Sequence, residues 1–175
     1  MQGFKKASGM PVATIAEGAI IGKLDDLQFD LDSGEVYGFR LKQGLFGRTG
    51  GVPAEAVTRL GRDLVYVSAE GAVDWSGAPR VATPGRAWAS EYRGTGVMSR
   101  RGAGLGEVED FLLDTGPCRV VALVLDGSRV VAWDNRVRVG RDAVILDDPS
   151  VAVARPAEEE EVSWWSRVRG RVDGG

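Results

Sequence analysis

The stretch GKLDDLQFD at residues 22–30 returns 84 residues later as GEVEDFLLD at residues 106–114, aligned without a gap. Self-similarity at a fixed offset is the mark of a duplicated structural unit. Beyond this stretch the second copy is five residues shorter, and the alignment then brings residues 52–55 onto 131–134 and residues 61–65 onto 140–144. Two copies of one unit therefore account for most of the chain.

Each copy has the alternation of apolar and other residues that is typical of half-buried β-strands. Phe39 and Leu41 alternate with glycine and arginine, just after the turn-forming residues 32–34. The alternation slips by one residue at Asp25-Asp26, and the second copy slips at Glu109-Asp110. Because a β-bulge produces such a slip and bends a strand at a barrel corner, we predict bulges at both places.

These patterns predict an all-β protein of two small antiparallel β-barrels, each with about five or six strands, followed by a short C-terminal helix or tail. The high glycine content, 25 of 175 residues, agrees with many tight turns. The expected organisation is a first barrel at residues 1–77, a basic linker at 78–93, a second barrel at 94–150 and an acidic, tryptophan- and arginine-containing tail at 151–175.

The composition narrows the classes of function. The chain has no histidine, which removes Ser-His-Asp and Cys-His triads and the usual imidazole metal ligands. No other nucleophile and base can be paired from the sequence. We therefore expect a protein that is not an enzyme and that uses no cofactor and no metal.

Charge and targeting signals bear on the compartment. A net charge of −3 gives no overall attraction to nucleic acid or anionic lipid. Cys118 is the one cysteine, so no disulfide forms within the chain, and the N-terminus lacks the apolar core of a signal peptide. No apolar run reaches the roughly 18 residues of a membrane span. These features predict a cytoplasmic protein.

The order of motifs in the first copy, from which the second copy departs more, resembles that of the PRC-barrel family. It consists of glycine-x-Leu/Val-x-Asp, an acidic-glycine turn, a hydrophobic strand, the run VPAEAV and then glycine-arginine-aspartate before a valine-rich strand. In the first copy these motifs lie at residues 22–26, 52–57 and 61–63, after the lead-in GMPV at 9–12. The similarity covers about residues 9–70 and 94–148.

The resemblance implies a structural module without catalytic residues. Similar barrels occur in the cytoplasmic part of a photosynthetic reaction-centre subunit and in a ribosome-maturation factor that docks on a ribosomal protein, and others stand alone. The fold alone does not determine which of these roles applies. The leading hypothesis for the function is protein binding, within a ribonucleoprotein or ribosome-linked assembly.

Two loops resemble ligand sites but fit turns better. The run 30–34 begins like a calcium loop, yet Leu41 stands where an EF-hand needs a bidentate glutamate. The glycine-rich run 44–51 leads into Val52-Pro53 and not into a helix, so it lacks the dipole of a phosphate loop. We predict hairpin turns at both, with Phe46 and Arg48 at the tip of the second as candidate partner contacts.

The connector at residues 78–102 has two open interpretations. Trp88 and Tyr92 lie between arginines, an arrangement that stacks bases and neutralises phosphates, so RNA contact is one hypothesis. A simple linker with Trp88 packed on a barrel is the other. The basic residues concerned are Arg80, Arg86, Arg93, Arg100 and Arg101.

Two further segments carry predictions. The strand at residues 120–125 is apolar at every position, which predicts burial on both of its faces. The tail places four glutamates before Trp164, Trp165 and several arginines, the order that complements a helix dipole. A docked helix, a peripheral membrane contact through the two tryptophans and a disordered tail all remain open.

The leading hypothesis is a non-catalytic scaffold that binds a protein, and the alternative is a peripheral membrane adaptor anchored through the tail. The candidate partner-binding residues are Phe46, Arg48, Trp88, Arg100, Arg101, Trp164 and Trp165.

Overall fold

The computed structural model describes residues 1–44, 47–77, 84–116, 118–126, 129–134 and 136–147, together with the backbone of residues 152–154. We call residues 1–77 the first repeat and residues 84–154 the second repeat. Apart from two 3₁₀ turns, the helical elements of this described part are α1 (Phe4–Ala7) and α2 (Ala89–Tyr92).

The described residues form fifteen strands, which confirms the all-β prediction. Those of the first repeat are β1 (Gln2–Gly3), β2 (Pro11–Thr14), β3 (Ile20–Asp30), β4 (Val36–Lys42), β5 (Thr49–Pro53), β6 (Val57–Leu60) and β7 (Val65–Val67). Those of the second repeat are β8 (Arg86–Trp88), β9 (Gly96–Ser99), β10 (Gly104–Asp114), β11 (Arg119–Leu125), β12 (Arg129–Ala132), β13 (Val137–Val139), β14 (Val144–Leu146) and β15 (Ala152–Ala154).

Both repeats pair their strands in the same order. The first sheet runs β6-β7-β2-β3-β4-β5 and the second runs β13-β14-β9-β10-β11-β12-β15. In each sheet one pair is parallel, β2 with β7 and β9 with β14. The shared order confirms that the sequence repeat is a structural repeat.

The sheets differ from the predicted small barrels in two respects. No ladder between the described strands closes either sheet into a barrel, and the sheets have seven and eight strands, more than the five or six expected. The excess consists of β1, β8 and β15, which have two or three residues each and are too short to show an alternation. The C-terminal helix or tail lies outside the described residues, apart from β15.

Both predicted bulges are confirmed. The register of β3 against β4 shifts between Leu24 and Asp26, and that of β10 against β11 shifts between Val108 and Asp110. Asp26 is fully buried, and Asp110 is 8% exposed. The bulges therefore bring one carboxylate of each acidic pair to a buried position.

The two repeats exchange their first elements. Strand β1 of the first repeat pairs with β10 of the second, and β8 of the second repeat pairs with β3 of the first. The short helices that follow, α1 and α2, pack on the same two long strands. Residues 86–92, part of the predicted linker, are thus the counterpart of the chain's N-terminus.

A pair of backbone hydrogen bonds joins the repeats on a local two-fold axis. The Val36 N–H donates to the Cys118 carbonyl at 3.2 Å, and the Val120 N–H donates to the Gly34 carbonyl at 2.8 Å. Gly34 has a φ of +74°, and a Cβ there would stand 2.5 Å from the Val120 carbonyl oxygen. This contact between repeats therefore requires glycine at position 34.

The hydrophobic core is continuous across the two repeats. The ring of Phe29 lies 5.3 Å from that of Phe111 and 5.4 Å from that of Trp133, measured between centroids. All three side chains are at most 5% exposed. Since the main apolar cluster contains residues of both repeats, neither sheet forms a separate core.

The apolar strand at residues 120–125 is buried on both faces, as predicted. Val120, Leu123 and Leu125 belong to the main core, whereas Ala122 and Val124 belong to a smaller cluster. These five side chains are at most 4% exposed, and Val121 between them is partly buried.

Candidate interaction surface

Asp26 accepts hydrogen bonds from its own repeat and, through Ser90, from the second repeat. Its Oδ1 accepts from the N–H groups of Leu27 and Ser90, at 2.9 and 3.2 Å. Its Oδ2 accepts from the Ser90 hydroxyl and from the Arg40 guanidinium, the latter at 3.0 Å. A buried carboxylate with a cationic partner and filled acceptors links β3, β4 and α2.

Asp110 occupies the equivalent place but forms no ion pair with a cation in the described part of the chain. Its Oδ1 accepts from the N–H groups of Lys5 and Phe111, at 2.7 and 2.8 Å. The residue that aligns with Arg40 is Val124. Burial raises the pKa of Asp110 above its usual value of 3.8, and the two backbone hydrogen bonds and the charges of Arg93 and Lys5 do not offset it.

Replacing Asp110 by asparagine should change how the free energy of unfolding depends on pH. Because the folded state binds this proton more tightly, wild-type stability falls as the pH rises from 3.8 through the raised pKa of Asp110. The variant lacks this loss, so its free energy of unfolding should increase relative to the wild type across that window. Denaturant unfolding at a series of pH values measures the difference.

Asp25 provides the control of opposite sign. Burial alone would raise its pKa, but the hydrogen bonds and charges of Lys42 and Arg40 outweigh burial and lower the pKa below 3.8. The stability that Asp25 contributes is present above pH 3.8 and is lost as the pH falls through the lowered pKa. A parallel response of Asp25→Asn and Asp110→Asn would contradict the assignment.

Asp30 caps the predicted hairpin turn. Its Oδ1 accepts from the N–H groups of Asp32 and Ser33 and from the Ser33 hydroxyl, at 2.7–3.0 Å. These hydrogen bonds, chiefly that from the Ser33 backbone, lower the pKa of Asp30. No group of three or more candidate ligand side chains in the described part of the chain is arranged to hold a metal ion.

The thiol of Cys118 does not resemble a nucleophile. Burial raises its pKa to about 11, so the thiolate is scarce at neutral pH.

The structure describes four of the seven predicted partner-binding residues, namely Arg48, Trp88, Arg100 and Arg101. Phe46, Trp164 and Trp165 lie outside the described residues. Arg48 is exposed on the first repeat, and Arg101 is exposed on the second. The Arg100 Nε lies 3.0 Å from an oxygen of Asp147. The binding roles of these residues stay predictions.

The aromatic side chains of the connector are buried against other residues of the chain. Trp88 is 6% exposed and packs under the Arg40 guanidinium, whose carbon is 4.9 Å from the ring centroid. Tyr92 is 9% exposed. Arg86 stacks on Tyr37 at 3.4 Å. In this structure the rings of Trp88 and Tyr92 are therefore buried and do not form an exposed surface on which bases could stack.

A groove of about 570 Å³ opens on the first repeat beside β2, β3 and the end of β4. Lys23 and Lys42 are cross-strand partners there, and the Lys42 ammonium pairs with Asp25 at 2.7 Å. Lys23 makes no ion pair with any residue in the described ranges. The side chain of Ile20 is 64% exposed. The lining comprises residues 8–9, 11, 20–25 and 42–44.

Trp75 lies beside this groove, and the side chain of the predicted contact Arg48 lies over the Trp75 ring. The Arg48 guanidinium carbon lies 5.7 Å from the centroid of the Trp75 ring. A Cβ at Gly22, in the groove lining, would stand 3.6 Å from the same indole. The groove is therefore bordered by an indole, and its lining has net positive charge, with Lys23 and Lys42 against Asp25.

The equivalent place on the second repeat is filled by its own side chains and has the opposite charge. Glu107 and Asp126 stand where the first repeat has Lys23 and Lys42. The Asp126 carboxylate accepts from the Glu107 N–H at 3.1 Å, and the Arg129 guanidinium donates to the Leu105 carbonyl. A Cβ at Gly106 would overlap with Asp126. Among the described residues, these side chains therefore occupy the corresponding place on the second repeat.

Sequence reasoning did not select Ile20, Lys23, Lys42 or Trp75. The signal was in the alignment of the two copies, because Lys23 and Lys42 of the first copy align with Glu107 and Asp126 of the second. Opposite charges at equivalent positions indicate that the two copies use this part of their surface differently.

The fold and these surfaces define a class, a tandem all-β protein whose two halves are interlocked by exchanged strands. The model of the PRC-barrel domain matches residues 4–73 and 87–153, so the chain belongs to the PRC-barrel family. The first match begins directly after β1, and the second match begins within β8. This family is a general non-catalytic module. No curated protein matches the chain.

None of the helices in the described ranges is long and apolar enough to cross a bilayer.

Proposed function

We propose that this chain is a non-catalytic interaction scaffold whose first repeat binds an extended acidic segment of a partner protein. The contrast between the repeats carries the proposal. The same place is open, basic and edged by apolar side chains on the first repeat, and it is filled and acidic on the second. Electrostatic complementarity of this kind selects partners and speeds their association.

The groove supplies both kinds of contact that such a segment needs. Ile20 and the Trp75 indole provide apolar surface, and Lys23 provides an ammonium group without an ion pair in the described part of the chain. Arg48 adds a second cation of this kind. Aromatic and arginine side chains are the ones that dominate binding energy at protein interfaces.

The setting that we propose is a ribonucleoprotein or ribosome-linked assembly, because a ribosome-maturation factor with a similar barrel docks on a ribosomal protein. The alternative, a peripheral membrane adaptor, rests on Trp164 and Trp165, which lie outside the described residues. Vesicle co-sedimentation of the full chain against a chain ending at Pro156 separates the two proposals.

The test is a charge reversal in the groove. The double variant Lys23→Glu, Lys42→Glu should bind a fluorescent peptide of glutamate and leucine about tenfold more weakly than the wild type. The interaction should also weaken as added salt shortens the Debye length from its value of about 8 Å at physiological ionic strength. Fluorescence polarisation measures both effects.

The matched control is Glu107→Lys, which changes charge at the equivalent position of the second repeat. We expect this variant to bind the peptide as the wild type does. A pull-down from native lysate with mass spectrometry should show proteins retained by the wild type and this control but lost from the double variant. Equal retention by all three chains contradicts the groove as the binding site.

A further inference from the structure

The outer face of the first sheet carries large apolar side chains beside the groove. Ile15, Ile20 and Tyr66 are 58%, 64% and 38% exposed. They are three of the five large apolar side chains that are exposed in the described part of the chain. Exposed apolar side chains that lie together mark interaction sites, whereas those that are scattered singly need no explanation.

Strand pairing places these three side chains on one face. Ala13 of β2 is the cross-strand partner of Ile20 in β3 and of Tyr66 in β7, so the three share a face. Ile15 follows Ala13 by two residues and continues the hydrogen bonding of β2 with β7, so it points to the same side. Val12 points to the other side, into the main core, which does not include Ala13. We call Ala13, Ile15, Ile20 and Tyr66 the apolar strip.

The second repeat shows that the fold does not require the two isoleucines of the apolar strip. Arg100 occupies the position of Ile15 and makes the equivalent backbone hydrogen bond. Gly104 occupies the position of Ile20, since it pairs with Met98 as Ile20 pairs with the strip's alanine. The same fold is thus built with an arginine and a glycine at these places, and the exposed isoleucines serve something other than folding.

The apolar strip continues the groove of the first repeat. Ile20 belongs to both. Pro11 is the cross-strand partner of Lys23, which in turn pairs with Lys42, so these residues share the outer face. The face therefore runs along β2 from a basic end at Pro11 to Ile15, a distance of four residues or about 13 Å.

The far end of the apolar strip is acidic. Glu17 follows Ile15 by two residues, and its carboxylate accepts a hydrogen bond from the Glu70 N–H at 3.2 Å. Both glutamates are exposed. Carboxylates at this end oppose contact with the negative surface of an anionic membrane. The order of cations, apolar side chains and carboxylates instead fits a peptide segment with a matching order of groups.

We infer that the acidic segment bound in the groove continues over the apolar strip, and that its acidic residues are followed, about four residues further along, by large aliphatic side chains. This inference rests on the proposed function, because the groove supplies the cations. The acidic residues contact Lys23 and Lys42, and the aliphatic side chains cover the apolar strip. The strip thus determines which acidic segments bind.

Two fluorescent peptides of equal length test this inference. The leucine peptide has a block of glutamates followed by a block of leucines, and the serine peptide has serines in place of the leucines. The wild type should bind the leucine peptide about tenfold more tightly, because only this peptide buries the apolar strip. Fluorescence polarisation measures both affinities.

The double variant Ile15→Ser, Tyr66→Thr should remove most of this tenfold difference. It should bind the serine peptide as the wild type does, which also shows that its groove is folded. Ile15→Ser alone, at a position more than half exposed, should remove part of the difference. The matched control is Met98→Ser, which removes an apolar side chain that is 44% exposed on the second repeat and should leave both affinities unchanged.

The outcomes separate this inference from the proposed function. If the double variant Ile15→Ser, Tyr66→Thr binds the leucine peptide as the wild type does, while Lys23→Glu, Lys42→Glu weakens both peptides, the strip is overturned and the groove stands. If the lysine variant binds both peptides as the wild type does, the proposed function fails, and this inference fails with it. Retention on anionic phospholipid vesicles, or a concentration-dependent dimer, that is lost in Ile15→Ser, Tyr66→Thr assigns the strip to lipid or to a second copy and overturns the inference.

Discussion

Replacing Asp26 by asparagine is expected to lower the free energy of unfolding by about 2–4 kcal/mol, whereas Asp110→Asn should change it by less than about 1 kcal/mol at neutral pH. The two residues are equivalent in the repeat and both are buried. The difference arises from the second oxygen of each carboxylate, which an asparagine replaces by an amide that donates hydrogen bonds.

At Asp26 that oxygen accepts from Arg40 and from the Ser90 hydroxyl, so an amide there would place donors against a donor. Arg40 would also lose one of its two anionic partners, the fully buried one. At Asp110 both described hydrogen bonds go to Oδ1, which asparagine retains. Equilibrium denaturation of both variants measures the two changes under the same conditions.

A rescue variant separates this explanation from general intolerance of change. Asp26→Asn combined with Arg40→Val reproduces the pairing of an uncharged side chain with valine that Asp110→Asn creates beside Val124. The double variant should recover part of the lost stability, because the Arg40 donor that opposes the new amide is gone. A double variant less stable than Asp26→Asn would show that Arg40 acts mainly through its packing on Trp88.

Replacing Phe29 by alanine should lower the free energy of unfolding by about 3–5 kcal/mol, the usual cost of removing a buried phenylalanine. The effect should reach both repeats, since Phe29 of the first contacts Phe111 and Trp133 of the second. Hydrogen exchange should therefore quicken at amides of β10 and β11 as well as of β3. Phe29→Leu, which keeps most of the volume, should cost less than about 1.5 kcal/mol.

The shared core also predicts how the wild-type protein melts. Calorimetry should show a single transition whose calorimetric and van't Hoff enthalpies agree, although the sequence contains two copies of a domain. Two resolved transitions, or a Phe29→Ala variant in which only the first sheet loses protection, would contradict the shared core.

Features that depend on neighbouring residues along the chain were predictable from the sequence. The two repeats, the long strands and both bulges follow from alternation and its interruption at Asp25-Asp26 and Glu109-Asp110. The exchange of β1 and β8 was not predictable, because strands of two or three residues have no period of their own and are formed by their partners. The same reason hid β15 in the predicted tail.

The candidate site was predicted only at its border. Arg48 was selected because it lies in a glycine-rich hairpin, yet the groove beside it depends on the pairing of Lys23 with Lys42 and on the position of Trp75. Trp88 was selected as an aromatic residue among arginines, and it is buried because β8 pairs with β3. Composition identifies residues that favour binding, whereas the sheet pairing decides which of them face outward.

The pairing of Gln2 with Leu113 has a consequence for the time at which the fold is completed. During synthesis the N-terminal strand must wait until β10 has left the ribosome, and the first sheet must wait for β8. Neither half reaches its final hydrogen bonding while the chain is half made. Residues 2 and 3 are thus translated well before their partners in β10, and the growing chain is most exposed to proteases and to aggregation in that interval.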